Sequence, residues 1–330
     1  MRVASSIALC LLLGLGLVSC GDSDPVATFP EKDTLTIMTY NVEDMDKGTA
    51  VTDPEVHASI ARLIRDEGVD VVCFQEIQPG SGTDDKYGDG SRSSDGDVTL
   101  FNKALKSANY IMPYYGFNDN GSVRRDFVAY WSRYKVFDVS SVKPVDGAID
   151  PSTGNRYYSS RPFLRYRINY HGKDIWFYGG HLKSNAGGVI EQNAGSRRSQ
   201  AFHLARYIMR NQNPEKDLIV ILGDMNTMPM DFDGSGNSTI DYLCLKYDNP
   251  YNTANDFVPV NLVEIGAVTN TPYDTWGGAT PGTTHPGNAN GSGYADATFD
   301  HIILSPALYS KYYVKGSIEI IQKADGFNGG

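Results

Sequence analysis

An unbroken apolar run at residues 218–222, with the sequence LIVIL, is the feature that most constrains the fold. Its length and β-branched content predict a strand buried on both faces, which requires a sheet covered on each side. The run leads into GDMN at residues 223–226, so Asp224 and Asn226 are placed where a buried sheet meets solvent. Catalytic and metal-binding groups are frequent at such edges, but Asp and Asn are also common turn residues. The segment is therefore either part of a functional site or a simple turn.

Composition and charge indicate a globular protein and restrict how it can bind its partners. The 330 residues, 41% of them hydrophobic, suit one large α/β domain or two small ones. No repeat or interdomain linker is apparent, so we predict a single domain over residues 34–330. The formal net charge of −10 argues against broad electrostatic attraction to nucleic acid. A nuclease is not excluded, because it can use a few local cations and a metal ion.

The N-terminal residues 1–20 predict a secretion signal. Arg2 precedes an apolar stretch at residues 7–18 that is too short to favour a spanning helix, and LVSC at residues 17–20 is typical of a lipoprotein cleavage site. The segment resembles that of bacterial lipoproteins, in which Cys20 would be lipidated; an ordinary signal peptide is the alternative. We expect residues 21–33 to be a polar tether and the protein to be lipid-anchored in the bacterial cell envelope, in the periplasm or on the surface.

Strand-like and helix-like segments alternate from residue 34 onward. Strands are predicted at residues 35–40, 69–74, 110–115, 127–131, 163–169, 175–178, 218–222 and 301–304. Helices are predicted from residue 53 and over residues 196–210, and glycine-rich loops at 79–97 and 271–295. This order favours mixed sheets with outer helices. Cys73 and Cys244 are predicted to be buried free thiols, with a disulfide between them as the alternative.

Polar side chains lie at the ends of several predicted strands. The residues concerned are Asn41, Glu76, His181, Asp224, Asn226 and Asp300. Gathered at one sheet edge, their oxygens would form a site for a hard divalent cation, and a neighbouring histidine could act as general acid or base. Taken singly, Asn41 could cap a turn, Glu76 could pair with a surface lysine, and His181 could be a hydrogen-bonded structural residue.

The order and strand context of these segments resemble the endonuclease/exonuclease/phosphatase superfamily, the fold of deoxyribonuclease I, over nearly the whole chain from residue 34. The resemblance implies an α/β (α+β) four-layer sandwich, in which two mixed β-sheets pack face to face and are flanked by helices. It also implies metal-dependent hydrolysis of phosphate esters, with Mg²⁺ as the cofactor and Mn²⁺ or Ca²⁺ as alternatives.

The same resemblance implies a role for each metal-site and catalytic residue. Asn41 and Glu76 match the metal ligands, while Asp224 and Asn226 match the pair that contacts the phosphate and orients the nucleophile or the metal. His181 matches a catalytic histidine.

Further roles are implied around that histidine. Asp300 is expected to orient His181, and Arg161 to contact the phosphate. Lys183, with Arg197 and Arg198, could follow a phosphate backbone, although a solvated loop and helix start are an equally good interpretation. His301 adjoins Asp300 but should face the other way, because strand side chains alternate, so we predict a structural role for it.

The chain differs from the superfamily pattern at its C-terminal end. The superfamily closes with a Ser-Asp-His-x-Pro-Val segment on a final strand, and no such segment follows residues 323–330. We expect the domain to lack its last strand, through an incomplete gene record, a truncation or a natural loss of activity. We also expect this chain to hydrolyse phosphodiesters poorly or not at all.

The leading functional hypothesis is a secreted or surface-anchored nuclease, with nucleic acid as substrate, the membrane contacted through the lipid anchor, and no protein partner. The alternative within the same chemistry is a phosphatase or sphingomyelinase-like phosphodiesterase. The alternative from another class is a non-catalytic surface binding protein, which the absent Ser-Asp-His segment favours.

Overall fold

The computed structural model describes residues 9–10, 32–42, 54–77, 97–118, 127–143, 148–150, 153–157, 161–184, 190–227, 238–244, 263–264, 300–314 and 317. Cys20, nearly all of the predicted tether and the predicted loop at 271–295 lie outside these residues.

Thirteen strands and five helices occur in the described parts. The strands are β1 Leu9–Cys10, β2 Thr36–Asn41, β3 Val71–Ile77, β4 Tyr114–Phe117, β5 Phe127–Ser132, β6 Val136–Val142, β7 Ala148–Ile149, β8 Arg156–Tyr157, β9 Phe163–Tyr170, β10 Lys173–His181, β11 Leu218–Asp224, β12 Val263–Glu264 and β13 Asp300–Leu304. The helices are α1 Pro54–Asp66, α2 Asp97–Ser107, α3 Ile190–Asn211, α4 Thr239–Leu243 and α5 Pro306–Tyr312. No described helix is both long and apolar enough to span a membrane.

The strands form two large mixed sheets and one small hairpin. The first sheet has the order β1-β2-β3-β5-β4, and the second has the order β12-β13-β11-β10-β9-β6. In each sheet the central pair is parallel, β2 with β3 and β10 with β11, while the other neighbours are antiparallel. The hairpin joins β7 to β8.

Alternating side chains on the strands create three apolar layers. On β3, Val71 and Cys73 face the second sheet, while Val72 and Phe74 face the layer of α1 and α2. The two sheets bury a common core between them, and α3 and α4 cover the outer face of the second sheet. The molecule is therefore a four-layer sandwich, as predicted.

The run at residues 218–222 lies in β11, between the core that the two sheets share and the layer of α3. Val220 and Leu222 contribute to the core between the sheets, whereas Ile219 and Ile221 pack under α3, and all four are fully buried. Each Å² of apolar surface removed from water stabilises the fold by about 25 cal/mol, so a strand that is buried on both faces contributes more than one with a solvent-exposed face. The prediction of a strand buried on both faces is confirmed.

Several boundaries and elements differ from the sequence-based expectations. β3 extends to Ile77 and β10 to His181, so the polar strand ends belong to the sheets themselves. Helix α3 begins at Ile190, six residues before the predicted start. The sequence reading missed helix α2 and the edge strand β6. Cys73 and Cys244 are buried free thiols, as predicted.

Candidate active site

The parallel strand pairs bring the predicted polar residues to one edge of the sandwich. Asn41 pairs with Gln75 across β2 and β3, and His181 pairs with Asp224 across β10 and β11. Because parallel strands end at the same edge, each pair places its polar residues side by side. Close packing of β10 on the first sheet assists this, since a Cβ added to Gly179 would lie only 2.6 Å from the sulfur of Cys73.

Four of these side chains form a single cluster that connects the two sheets. The Asn41 amide nitrogen donates to Glu76 Oε1 at 3.0 Å and to Asp224 Oδ2 at 2.8 Å. Nε2 of His181 lies 3.7 Å from Glu76 Oε1 and 3.9 Å from Asp224 Oδ2. The ligand atoms offered by Glu76, His181 and Asp224 all lie within 4.8 Å of one another. The convergence predicted from the strand ends is therefore present.

A β-bulge turns Glu76 toward this cluster. The pairing of β3 with β5 shifts between Phe74 and Ile77, so that Gln75 and Glu76 together face one residue of β5. Glu76 has a φ of 60°, in the left-handed region that non-glycine residues seldom adopt. Without the bulge, regular alternation would put Glu76 on the face of Phe74, against the α1–α2 layer. No sequence pattern indicates this local strain.

The fully buried side chain of Gln75 stabilises the bulge through hydrogen bonds to the neighbouring strand and to its own strand. Its amide nitrogen donates to Thr39 Oγ1 at 3.1 Å and to the carbonyl oxygen of Cys73 at 3.1 Å. The glutamine that follows the apolar part of β3 was the only sequence feature that could have indicated this support, and no role was predicted for it.

The segment at residues 223–226 is both a turn and part of the site. The backbone N–H of Asn226 donates to Asp224 Oδ1 at 2.8 Å, which closes an Asx-type turn, and Asn226 has a φ of 49°. Its side-chain amide donates to the carbonyl oxygen of Leu182 at 3.1 Å. Gly223 has a φ of 139°, and a Cβ there would overlap the carbonyl oxygen of Gly180. Asn226 thus ties the end of β11 to the end of β10.

His181 is buried as a neutral imidazole. Burial lowers its pKa well below the ordinary value, and the positive charges of Arg161 and Lys183 lower it further. Nδ1 is buried and has no hydrogen-bond partner among the described residues, whereas Nε2 faces the two carboxylates. This arrangement favours the tautomer with the proton on Nε2.

Among the described contacts, Asp300 does not accept a hydrogen bond from His181, so the expected orienting role of Asp300 was wrong. Asp300 pairs with Asp224 on the other side of β11, so β11 separates it from His181. Two strand spacings put their backbones about 10 Å apart. Asp300 instead lies near Tyr40, whose pKa is raised by burial and then by that carboxylate. A catalytic role for Asp300 stays a prediction, and the neighbouring His301 contacts Thr227 Oγ1 at 2.7 Å.

The predicted cations occupy two different environments. Arg161 donates to the carbonyl oxygen of Leu182 at 2.7 Å, and Lys183 Nζ donates to the carbonyl oxygen of Ser184 at 2.8 Å, so both lie beside His181. The side chains of Arg197 and Arg198 are fully buried.

The two buried arginines therefore correct both sequence interpretations. Arg197 donates to the carbonyl oxygen of Lys183 at 2.8 Å, and Arg198 pairs with Asp150. Neither forms a solvated helix start, and neither is accessible to a phosphate backbone. They support the fold because buried charges are retained where partners compensate them.

The donor set at the cluster fits a hard divalent cation. Two carboxylates and the Asn41 amide are the oxygen-bearing groups that Mg²⁺ and Ca²⁺ prefer. The Asn41 amide nitrogen reaches both carboxylates, so Glu76 and Asp224 lie close enough to share one bound cation. Glu76, Asp224 and Asn41 are therefore the residues that would hold the metal.

Comparison with known proteins identifies a family for the chain. The model of the endonuclease/exonuclease/phosphatase family matches residues 38–314. The chain belongs to this family. Members of the family are phosphoric ester hydrolases and generally depend on divalent metals. No curated protein matches the chain.

Solved structures resemble the chain at low sequence identity. An endonuclease/exonuclease/phosphatase from Beutenbergia cavernae is 17% identical with a TM-score of 0.48, over 82% of this chain and 64% of that one. This chain thus spans less than two thirds of that neighbour's length. A family protein from Leptotrichia buccalis is 17% identical with a TM-score of 0.46, covering 88% and 99%. Sphingomyelinase C from Streptomyces griseocarneus is 18% identical with a TM-score of 0.45, covering 63% and 68%.

Proposed function

We propose that this family member is a metal-dependent phosphodiester hydrolase, and that its substrate is nucleic acid. The observation that carries the proposal is the contact of Asn41 with both Glu76 and Asp224 beside His181, because these side chains come from four strands of two sheets. Within a family of phosphoric ester hydrolases, such a cluster is the expected place for the reacting phosphate.

Different residues of the site can contribute different parts of the hydrolysis. A divalent cation held by Glu76, Asp224 and Asn41 would supply positive charge against the non-bridging oxygens of the phosphodiester. His181, neutral and with Nε2 facing the cluster, can donate a hydrogen bond to a phosphate oxygen; its lowered pKa makes it a weak base. Arg161 can stabilise the charge that grows on the equatorial oxygens.

We further propose that the protein acts outside the cytoplasm, on the membrane to which Cys20 anchors it. The N-terminal signal pattern supports this location. Labelling with radioactive palmitate, compared between the intact chain and Cys20→Ser, tests it directly. Label that is equal in the two proteins would contradict the anchor.

An assay panel tests the function. The full chain is incubated with plasmid DNA, RNA and sphingomyelin vesicles, each with Mg²⁺ and with EDTA. We expect cleavage of nucleic acid that is slow, as the sequence comparison predicts, that requires Mg²⁺, and that falls by about 10²–10⁴-fold in His181→Ala. Glu76→Gln should lose activity in the same way, whereas Glu215→Gln, at an exposed turn remote from the cluster, should not. Cleavage of sphingomyelin alone would overturn the nuclease assignment, and cleavage unaffected by Glu76→Gln would overturn the assigned site.

A further inference from the structure

Helix α3 carries buried polar side chains that contact the segments on either side of the active-site residue His181. Its apolar residues Ala201, Leu204 and Ile208 pack on the second sheet, as a helical period predicts. Arg197 and Gln200, three positions apart and hence on one face, are fully buried although both are polar. Buried polar groups are retained where they are hydrogen-bonded, so their partners indicate what they do.

Gln200 connects two segments that are distant in the sequence. Its side-chain oxygen accepts a hydrogen bond from the backbone N–H of Lys183 at 3.0 Å. Its amide nitrogen donates to the carbonyl oxygen of Arg161 at 3.3 Å. The peptide of Lys183 is held on its other side as well, because Arg197 donates to its carbonyl oxygen at 2.8 Å.

The two connected residues are the cations beside His181. Arg161 precedes β9 and Lys183 follows β10, so no regular strand pairing fixes their separation. The Arg161 guanidinium reaches the carbonyl oxygen of Leu182, which also accepts from Asn226, so this cation is tied to the strand end that carries the histidine. One buried amide thus connects the backbones of the two cationic residues.

We propose that Gln200 is a positioning residue that holds Arg161 and Lys183 at a fixed separation, so that the two cations together bind a phosphate group beside His181. This inference rests on the proposed function and assigns the phosphate-binding half of the site to a residue that does not contact the substrate. Two preorganised cations bind a phosphate better than two mobile ones, because less conformational freedom is lost on binding.

Affinity for inorganic phosphate, measured by calorimetry in EDTA, tests the proposal without metal or turnover. Gln200→Met keeps the approximate size of the side chain and removes both hydrogen bonds. We expect phosphate affinity to fall at least about fivefold, as the loss of a typical hydrogen bond would give. Ser199→Ala is the matched control, since Ser199 is also buried on α3 and its hydroxyl has no hydrogen-bond partner in the described part of the chain. Its affinity should be unchanged.

A double-mutant cycle distinguishes positioning from general destabilisation. If Gln200 acts through Arg161, the effect of Gln200→Met should largely disappear in an Arg161→Ala background, whereas an unrelated structural effect would add to it. Ile208→Val, a core change on the same helix, should lower the unfolding temperature without changing phosphate affinity. Additive losses, or equal affinity in Gln200→Met and the unaltered protein, would overturn the proposal.

The positioning role and the proposed function can fail separately. Gln200-dependent phosphate binding in a protein that cleaves no phosphodiester would overturn the function and support the positioning role. Cleavage together with unchanged phosphate affinity in Gln200→Met would support the function and overturn the positioning role.

Discussion

Among the ion pairs of the described structure, the buried pair of Arg198 and Asp150 should cost the most stability when one partner is removed. Both side chains are fully buried, and the guanidinium makes two bonds to the carboxylate, Nε to Oδ1 at 3.1 Å and Nη2 to Oδ2 at 2.9 Å. Burial opposes the charged form, but the bonds to Asp150 outweigh it and raise the pKa of Arg198. The pair fastens the β7–β8 hairpin to α3, and the chain then leads from that hairpin to Arg161.

Arg198→Met removes the charge and keeps much of the side-chain volume. The Asp150 carboxylate then loses both hydrogen bonds from the guanidinium and keeps the one from Thr153 Oγ1 at 3.0 Å. Removal of one partner from a buried ion pair costs about 3–5 kcal/mol. The second acidic contact, Glu191, is mostly exposed and should contribute little.

Urea unfolding followed by tryptophan fluorescence measures this loss. The double variant Arg198→Met with Asp150→Leu should recover most of the stability, because neither charge is then left buried alone. Arg65→Met is the control, since its pair with Asp66 is 41% and 47% exposed, and it should change stability by less than about 1 kcal/mol. A loss below about 1 kcal/mol for Arg198→Met, or no recovery in the double variant, would refute this account of the pair.

Three further predictions follow from strain, burial and charge at other positions. Gly223→Ala should cost about 3 kcal/mol in urea unfolding, because its Cβ would overlap the neighbouring strand, whereas Gly172→Ala, with open space at its Cβ, should cost only about 1 kcal/mol; equal losses would contradict this. Burial raises the pKa of Cys73 to about 12, so at pH 8 only about 10⁻⁴ of it is thiolate; in a variant without the two N-terminal cysteines, a thiol reagent should label Cys73 and Cys244 only after unfolding, and rapid native labelling would be incompatible with their burial. The lowered pKa of His181 means that the unfolded chain takes up a proton below pH about 6.5 that the folded chain does not; the free energy of unfolding should therefore fall from pH 7 to pH 5, with a smaller slope in His181→Gln, and equal slopes would contradict the buried neutral histidine.

The central strands and the meeting of their polar ends could be predicted from the sequence because both follow from simple periodicity. An apolar run such as residues 218–222 has few places in a fold other than the middle of a covered sheet. Once β2 with β3 and β10 with β11 are parallel pairs, Asn41 lies beside Gln75 and His181 lies beside Asp224 at the carboxyl ends of their strands. Helix α2 was missed although Val98, Phe101 and Leu105 have helical spacing, since the polar loop before it obscured its start.

Other features depend on contacts between residues that are distant in the sequence, and periodicity cannot give these. The left-handed backbone of Glu76 follows from its pairing with β5, and the burial of Arg198 follows from a hairpin some fifty residues earlier. The error about Asp300 has the same origin, because the order of strands in the sheet decides which of its neighbours it reaches. Edge strand β6 was missed because its polar, half-exposed sequence lacks the apolar run of a central strand.

A titration with Mn²⁺, observed by electron paramagnetic resonance, tests the central claim most directly, because it measures the site without requiring turnover. The intact chain should bind Mn²⁺ saturably at one site, and Mg²⁺ should displace it. Glu76→Gln should weaken binding at least about tenfold, while Glu215→Gln leaves it unchanged. Equal Mn²⁺ affinity in Glu76→Gln and the intact chain would contradict the assignment of the metal to the cluster that Asn41 joins across the two sheets.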